Sequence, residues 1–139
     1  MYDAVIERAD SMDIIVKAAA VADYRPKSVS SEKVKKQDGN MSIELERTDD
    51  ILKTLGERKN SQFICGFSME TENMLENSRK KLEKKNCDMI VANNLKQDGA
   101  GFGGNTNIVT LITKDDEVQL EKMTKDEVAE KIFDFILSR

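Results

Sequence analysis

Three stretches of the chain are almost continuously apolar, and amphipathic segments separate them. The stretches are residues 13–22, 62–67 and 88–92. A strand that is covered on both faces of a parallel sheet has this pattern, because neither of its faces is polar. We therefore predict three core strands in a largely parallel sheet.

Apolar residues at helical spacing predict four helices around these strands. Their expected positions are residues 2–8, 49–59, 71–85 and the segment that follows Thr124. Thr124 and Glu127 have the spacing of a capping box, which marks the start of the last helix. We regard that helix as the best-defined element of the sequence.

Two hairpins are predicted from alternating polar and apolar positions. The first has residues 32–36 and 41–46 as its arms, joined at the strong turn signal Asp38-Gly39. Residues 107–113 and 117–120 flank the polar tip 114–116 of the second. The first hairpin would protrude as a flap whose leading arm carries lysines.

Apolar strands that alternate with amphipathic helices indicate an α/β fold. We predict a Rossmann-like, three-layer fold with a mostly parallel sheet and the protruding β-hairpin flap. A doubly wound sheet usually has about five or six strands, and only three apolar strands are evident here. Residues 1–139 are therefore expected to form a single, partial domain, the C-terminal portion of the fold.

Composition narrows the classes of function. Charged residues make up 35% and hydrophobic residues 39% of the 139 positions, which is typical of a soluble globular protein. The net charge of −4 argues against nonspecific binding to nucleic acid or to a membrane surface, and no apolar run reaches the roughly 20 residues of a membrane span. The chain has no histidine, which excludes an imidazole base and a histidine-ligated metal.

The two cysteines, Cys65 and Cys87, lie in apolar, strand-like surroundings. Buried and reduced thiols in the cytoplasm are the simplest interpretation of such positions. We expect neither thiol to act as a nucleophile.

Residues 99–104, with the sequence GAGFGG, match the dinucleotide-binding fingerprint G-x-G-x-x-G in form. That fingerprint functions where the loop opens a helix, whose N-terminus then holds the pyrophosphate. Residues 107–112 downstream are β-branched and strand-like. We therefore reject a cofactor-binding role for this loop.

The basic and acidic candidates each have a structural alternative. The arm with Lys33, Lys35 and Lys36 could be an ordinary solvated edge, which lysines protect from pairing with other edges. Lys81 and Lys85 lie on one stripe of a helix and could simply complement its dipole.

Acidic residues occur where the first strand ends and where the second helix begins. Asp49 and Asp50 at the helix start are most often capping residues. Asp23 follows a buried strand at its C-terminal end, the edge where open parallel sheets bind ligands. Asp23 is therefore the better candidate for a functional role.

Read in order, several motifs closely resemble the C-terminal half of the phosphopantothenate–cysteine ligase family, which in bacteria is often fused to a phosphopantothenoylcysteine decarboxylase. The motifs are AAAVADYRP at 18–26, KVKK at 33–36, DIL at 50–52, GF at 66–67, ET at 70–71 and DMIVAN at 88–93. The resemblance runs through nearly the whole chain in the order and approximate spacing of the family.

The resemblance implies a nucleotide site, for CTP in bacteria, with Lys33 as the catalytic flap lysine. The matching nucleotide-binding positions are Lys17, Ala18, Ala19, Asp23, Lys33, Asp49, Asp50, Ile51, Leu52, Phe67, Lys81 and Lys85. No resident metal is assigned, since Mg²⁺ would arrive with the triphosphate, with Asp23 as the candidate ligand. The implied partners are CTP, 4′-phosphopantothenate, cysteine and a second copy of the chain.

Three departures from the family pattern bear on these assignments. The family usually has Asn-Pro-Asp where this chain has Thr48-Asp49-Asp50, Ser68-Met69 replaces a small pair, and Asn94 stands where aspartate is usual. The family's glycine-rich opening strand and its Asn-x-Ser-Ser-Gly-Lys-type phosphate loop do not occur in residues 1–139. We therefore expect the N-terminal phosphate-loop half of the domain to be absent, and the active site to be incomplete.

The implied reaction is the condensation of 4′-phosphopantothenate with cysteine through an acyl-cytidylate, a step of coenzyme A biosynthesis. Two alternatives stay open, since a fold does not determine a function. The chain could be an inactive nucleotide-binding or dimerisation fragment, or a non-catalytic nucleotide-binding regulator. The presence of Lys33 and Asp23 favours the enzyme.

Overall fold

The computed structural model describes residues 1–35, 38–70, 72–94 and 104–139. The helices are α1 (Tyr2–Ala9), α2 (Ile51–Arg58), α3 (Met74–Lys84) and α4 (Lys125–Leu137). The strands are β1 (Ile14–Lys17), β2 (Tyr24–Pro26), β3 (Leu45–Arg47), β4 (Phe63–Glu70), β5 (Met89–Asn94), β6 (Thr106–Asn107), β7 (Val109–Ile112), β8 (Glu117–Gln119) and β9 (Met123–Thr124).

Five of these strands form the central sheet, in the order β1-β4-β5-β7-β8. The predicted core strands β1, β4 and β5 are parallel, with Val16 beside Cys65 and Cys65 beside Met89. β7 and β8 continue the sheet as an antiparallel hairpin. The carboxyl ends of β1, β4 and β5 therefore meet at one edge of the sheet.

Alternate residues of the sheet pack into two separate apolar clusters, one on each face. Ile64 and Ile90 pack on the side of α1, α2 and α3. Cys65, Met89 and Val91 pack on the side of α4. This alternation produces three layers and confirms the predicted Rossmann-like α/β class.

The second hairpin and the last helix were predicted correctly. β7 and β8 join through a turn in which Thr113 Oγ1 accepts a hydrogen bond from the backbone N–H of Asp116, at 3.0 Å. In the capping box, Thr124 Oγ1 accepts from the N–H of Glu127 at 3.2 Å, and the Glu127 carboxylate accepts from the N–H of Thr124 at 2.8 Å. Both motifs are local, so the sequence alone determines them.

The first core strand is shorter than predicted. β1 ends at Lys17, which pairs with Gly66 of β4. Beyond that point β4 is hydrogen-bonded to β5 and no longer to β1. Residues 18–22 therefore leave the sheet, although their apolar composition resembles that of a strand.

The predicted arms of the flap hairpin were wrong. The two-stranded ribbon pairs β2 with β3, and no strand forms over the described residues 27–35 and 38–44. Ion pairs hold the ribbon across its strands, from Arg25 to Glu46 and from Lys27 to Glu44, each at 2.8 Å. The predicted lysine arm has only Val34 as an apolar residue, which is 64% exposed, so no packed face holds it extended. Lys36 and Gln37 lie outside the described residues.

The turn signal at Asp38-Gly39 is accompanied by a positive backbone φ of 103° at Gly39, which glycine adopts without steric strain.

Across the described part of the chain, none of the helices combines the length and the apolar character required to cross a bilayer.

Candidate functional site

A cavity of about 330 Å³ lies at the carboxyl ends of β1, β4 and β5. Lys17 ends β1, Phe67 lies in the second half of β4, and Asn93 is the penultimate residue of β5. The lining residues are Lys17, Ala18, Ala19, Ala20, Val21, Ala22, Asp23, Thr48, Asp49, Asp50, Ile51, Leu52, Phe67, Ser68, Met69, Lys81, Lys85 and Asn93. This is the edge at which open α/β sheets bind ligands.

One wall of the cavity is the loop that follows β1. Its residues Ala18, Ala19 and Ala20 are exposed, and their small side chains let a ligand approach the backbone closely. Two hydrogen bonds from Thr48 hold the loop, since its N–H donates to Asp23 O at 3.0 Å and its Oγ1 donates to Ala22 O at 2.6 Å. Thr48 therefore fixes the loop that follows β1.

A second wall is the N-terminus of α2. Asp50 caps this helix by accepting a hydrogen bond from the N–H of Lys53 at 3.0 Å, and its other oxygen accepts from Lys85 Nζ at 2.5 Å. Burial raises the pKa of the Asp50 carboxyl, but the hydrogen bonds from Lys85 and Lys53, with the charges of Lys85 and Lys17, lower it below its usual value. Asp50 is thus an ionised residue that joins α2 to the end of α3.

The remaining charged side chains of the cavity are two lysines, Lys17 and Lys81, and two aspartates, Asp23 and Asp49. Lys81 is half-buried and donates to the backbone O of Phe67 at 2.9 Å, whereas Lys17 donates to Ala19 O at 3.2 Å. Burial lowers the pKa of Lys81, and the charge of Lys17 and then that of Lys85 lower it further, against opposing effects of Glu70 and Asp50. Lys85 is paired with Asp50, so Lys17 and Lys81 are the lysines left to meet a polyanion near the N-terminus of α2.

The cavity brings together every predicted nucleotide-binding residue except one. Ile51 and Leu52 are buried, so they form an apolar part of the wall. Lys33 lies in the segment between β2 and β3, where it is exposed, and the described cavity residues do not include it. Its assignment as the catalytic residue stays a prediction.

Seven of the cavity residues were not among the predicted binding residues. These are Ala20, Val21, Ala22, Thr48, Ser68, Met69 and Asn93. Ser68, Met69 and Asn93 follow the apolar cores of β4 and β5, so the rule that ligands bind at strand carboxyl ends could have identified them. Thr48 carries no such signal, because its role depends on contacts with a loop distant in sequence.

The cysteines are buried and free, as predicted. Burial raises the pKa of Cys65 to about 12 and that of Cys87 to about 11, with smaller effects of neighbouring charges. Both thiols are therefore protonated at neutral pH. A protonated, buried thiol is a poor nucleophile.

The glycine-rich loop at residues 99–103 lies outside the described residues. Downstream of it, Thr106–Asn107 and Val109–Ile112 are strands. A dinucleotide fingerprint requires a helix at that position. The rejection of a cofactor role for this loop is consistent with the strands that follow it.

Known proteins resemble the chain over its whole length. The family model for the DNA/pantothenate metabolism flavoprotein C-terminal domain matches residues 1–139. The coenzyme A biosynthesis bifunctional protein CoaBC of Bacillus subtilis (strain 168) is 55% identical over 115 residues, which is 83% of this chain and 28% of that protein.

Two further relatives extend this comparison. A protein from an unknown prokaryotic organism, named cysteine/cysteine sulfinic acid decarboxylase, is 44% identical over 99% of this chain and 39% of its own length. The crystal structure of the C-terminal domain of CoaBC superposes with a TM-score of 0.77 and 45% identity, over 97% of this chain and 58% of that one. The chain thus spans about a third of the length of the Bacillus subtilis protein and of the protein named as a decarboxylase.

Proposed function

Because the chain belongs to the family of DNA/pantothenate metabolism flavoprotein C-terminal domains, we propose that it supplies the nucleotide-handling part of a phosphopantothenate–cysteine ligase. The ligase would condense 4′-phosphopantothenate with cysteine at the expense of CTP, in coenzyme A biosynthesis. The relative from Bacillus subtilis carries coenzyme A biosynthesis in its name.

The observation that carries this proposal is the position of three lysines in one cavity at the sheet edge. Lys17 ends β1, Lys81 lies in α3 and Lys85 follows that helix, and all three line the cavity. A triphosphate carries several negative charges, and lysine neutralises them as a mobile point charge. The α2 N-terminus adds the positive end of a helix dipole beside them.

The proposed reaction has two steps. The carboxylate of 4′-phosphopantothenate attacks the α-phosphate of CTP, which forms the acyl-cytidylate and releases pyrophosphate. The amine of cysteine then attacks the acyl carbon, and CMP leaves. A carboxylate is already ionised at neutral pH, so a chain without histidine can support this chemistry by positioning and charge stabilisation.

The residues present fit a magnesium ion that arrives with its nucleotide. Among the described residues, no group of three or more acidic, cysteine or histidine side chains could hold a metal by itself. Asp23 and Asp49 line the cavity and could reach an ion carried by the triphosphate, whereas Asp50 is engaged by Lys85. When bound, Mg²⁺ would neutralise charge on the transferring nucleotidyl group.

Lys33 is proposed to act after closure of the segment that carries it. This lysine is exposed, between the ribbon strands β2 and β3, and the described residues 27–35 around it form no helix or strand. Segments of this kind can close over a ligand and exclude water, which would protect the acyl-cytidylate from hydrolysis.

Calorimetric titration with CTP and Mg²⁺ tests the nucleotide site. The matched pair is Lys81→Gln and Lys80→Gln, neighbouring lysines on α3. Lys81 lines the cavity, whereas Lys80 is exposed and pairs with Glu76 at 2.6 Å. Lys81→Gln should weaken binding about tenfold or more, while Lys80→Gln should leave it unchanged. A parent chain that does not bind CTP, or equal affinities of the two variants, would refute the proposed site.

A pyrophosphate-release assay separates the ligase from a binding module. Release that depends on 4′-phosphopantothenate supports the enzyme. CTP binding without release, in the full-length protein, would favour the alternative of a non-catalytic nucleotide-binding regulator. Typical enzyme turnover lies at roughly 1–10³ s⁻¹, so the two outcomes are easily distinguished.

We also propose that the protein forms a homodimer through the ribbon and the segment between its strands. Several apolar side chains are exposed there, namely Val29, Val34, Met41, Ile43 and Leu45. Exposed apolar clusters commonly mark interfaces. Analytical ultracentrifugation should show a dimer that Ile43→Lys dissociates, and a monomeric parent at micromolar concentration would contradict this.

The cytoplasm is the proposed location. Both cysteines are free, and reduced thiols persist in that compartment.

A further inference from the structure

Two side-chain amides link the backbone of Ile108, which lies between β6 and β7, to the cavity. The backbone N–H of Ile108 donates to Asn107 Oδ1 at 2.9 Å. Asn107 Nδ2 in turn donates to Asn93 Oδ1, also at 2.9 Å. Asn93 lines the cavity at the carboxyl end of β5, whereas Asn107 is buried behind it.

The chemistry of these groups fixes the direction of each amide. A backbone N–H can only donate, so the atom of Asn107 that faces Ile108 must be its oxygen. The NH₂ group of Asn107 therefore points to Asn93, and the atom of Asn93 that receives it must be an oxygen. What remains of Asn93 for the cavity side is its NH₂ group, which is a donor only.

Both backbones are held in place by regular structure. Asn107 belongs to β6, which pairs with β9, where Asn107 lies beside Met123. Asn93 is paired on both sides within the sheet, with Met69 of β4 and with Val109 of β7. The two amides therefore meet at a position that the sheet determines, and each retains its orientation.

We propose that Asn107 is a positioning residue of the nucleotide site. It holds the Asn93 amide so that the cavity presents a hydrogen-bond donor to an acceptor oxygen or nitrogen of the nucleotide. This inference rests on the proposed function for the identity of the ligand. The orientation itself depends only on the residues of this chain.

The orientation is tested without a ligand by side-chain amide hydrogen exchange in NMR spectra. In the parent protein, the NH₂ group of Asn107 should exchange slowly, because it is buried and hydrogen-bonded, and that of Asn93 should exchange rapidly. Asn107→Asp replaces the donor by an acceptor of the same shape, so Asn93 must turn its NH₂ group towards residue 107. The Asn93 NH₂ group should then become protected, and an unchanged exchange pattern would overturn the inference.

The effect on recognition is tested by calorimetric titration with CTP and Mg²⁺. With the Asn93 oxygen turned to the cavity, an acceptor faces an acceptor, and the affinity should fall roughly tenfold to a hundredfold. The added carboxylate also repels a triphosphate, so the same substitution is made in an Asn93→Ala background. There only the repulsion remains, and the loss caused by Asn107→Asp should be much smaller.

Equal losses in the two backgrounds would show that Asn107 does not act through Asn93, and would overturn the inference. If Asn107→Asp does not fold, Asn107→Ala provides the same comparison, because it releases the Asn93 amide without adding charge. A parent that fails to bind CTP would refute the proposed nucleotide, whereas the exchange measurement would still decide the orientation of Asn93.

Discussion

The carboxylate of Asp50 accepts a hydrogen bond from the ammonium of Lys85 at 2.5 Å, while the same carboxylate caps α2. The pair joins the start of α2 to the residue that follows α3. Asp50 is about half exposed, and Lys85 is largely buried. The Asp50 carboxylate therefore caps the N-terminus of α2 and also holds the Lys85 side chain at the wall of the candidate site.

Asp50→Asn should remove the acid sensitivity that this pair confers on folding. The pair and the cap lower the pKa of Asp50 below its usual 3.8, so its stabilising effect is present above that pH and is lost as the pH falls further. Asparagine still caps the helix, so only the pairing with Lys85 is removed. At neutral pH the cost should be about 1 kcal/mol or less, because Asp50 is exposed to solvent.

Urea unfolding at several pH values between about 2 and 7 measures this effect. Lys85→Gln is the matched variant, and it should flatten the acid limb of the stability profile to a similar degree. A variant Asp50→Asn with the same acid limb as the parent would show that another carboxyl group is responsible.

Lys81 should give nucleotide affinity an alkaline limit. Burial and the charge of Lys17 lower the pKa of Lys81 below its usual 10.5, so this ammonium loses its proton at lower pH than an ordinary lysine. CTP affinity should therefore decline as the pH rises towards 10.5, and CTP binding in this range should take up a proton. The unfolded chain holds that proton to higher pH, so the shift also makes the free energy of unfolding increase with pH within the same window.

Calorimetry in two buffers of different ionisation enthalpy measures the proton uptake. Lys81→Gln should bind CTP more weakly but without this alkaline decline. If the affinity of the parent stays constant up to pH 10.5, Lys81 is not the cation that contacts the phosphates.

The sequence determines the elements that carry the site more closely than it determines the flap. β4 and β5 were predictable because both their faces are buried, and the carboxyl ends of these strands then place Phe67 near the residues that follow β1. The flap could not be predicted in this way. The alternation at residues 41–46 is genuine, but its apolar residues Met41, Ile43 and Leu45 are exposed, so burial does not hold residues 41–44 in a strand. The ribbon forms instead between β2 and β3, with the exposed ion pair of Arg25 and Glu46 across it.

Asn107 illustrates a second limit of sequence-based prediction. Its function as proposed depends on a tertiary contact with Asn93, 14 residues earlier. Nothing in the local pattern distinguishes this asparagine from one in a turn. To predict a residue that acts through a side chain on another strand, one must know how the strands are aligned, and the structure shows this alignment.

Lys33 and Lys81 should affect different kinetic constants of the full-length protein. Lys81 is held in place by its hydrogen bond to Phe67 O, so Lys81→Gln should mainly raise the KM for CTP. Lys33 belongs to an exposed segment and would contact the triphosphate only after closure, so Lys33→Gln should mainly lower kcat. Loss of such a transition-state contact typically costs about 3 kcal/mol, or roughly a hundredfold in rate.

Steady-state kinetics of pyrophosphate release distinguish these roles. Both substitutions remove a charge and retain most of the side-chain length, so lost packing does not explain a difference between them. If Lys33→Gln leaves kcat within about twofold of the parent while Lys81→Gln abolishes it, the two assignments are reversed.

The contact between α2 and the end of α3 rests on Gly56. A Cβ atom at this position would lie 1.8 Å from the carbonyl oxygen of Lys85 and 2.8 Å from its carbonyl carbon. Asn86 secures the same contact, since its Nδ2 donates to Gly56 O at 2.9 Å. Two backbones approach each other here, so neither can move aside as a side chain would.

Gly56→Ala should therefore destabilise the fold by about 3 kcal/mol, through overpacking that must separate α2 from α3. Helix propensity opposes this effect, because alanine is favoured over glycine by about 1 kcal/mol within a helix. Gly66→Ala is the matched control, since its Cβ would meet only side-chain ends, Leu52 Cδ2 at 2.7 Å and Ile90 Cδ1 at 3.1 Å. These can rotate, so the cost should be about 1 kcal/mol. Urea unfolding measures both, and a Gly56→Ala variant as stable as the parent would show that helix propensity outweighs the close approach.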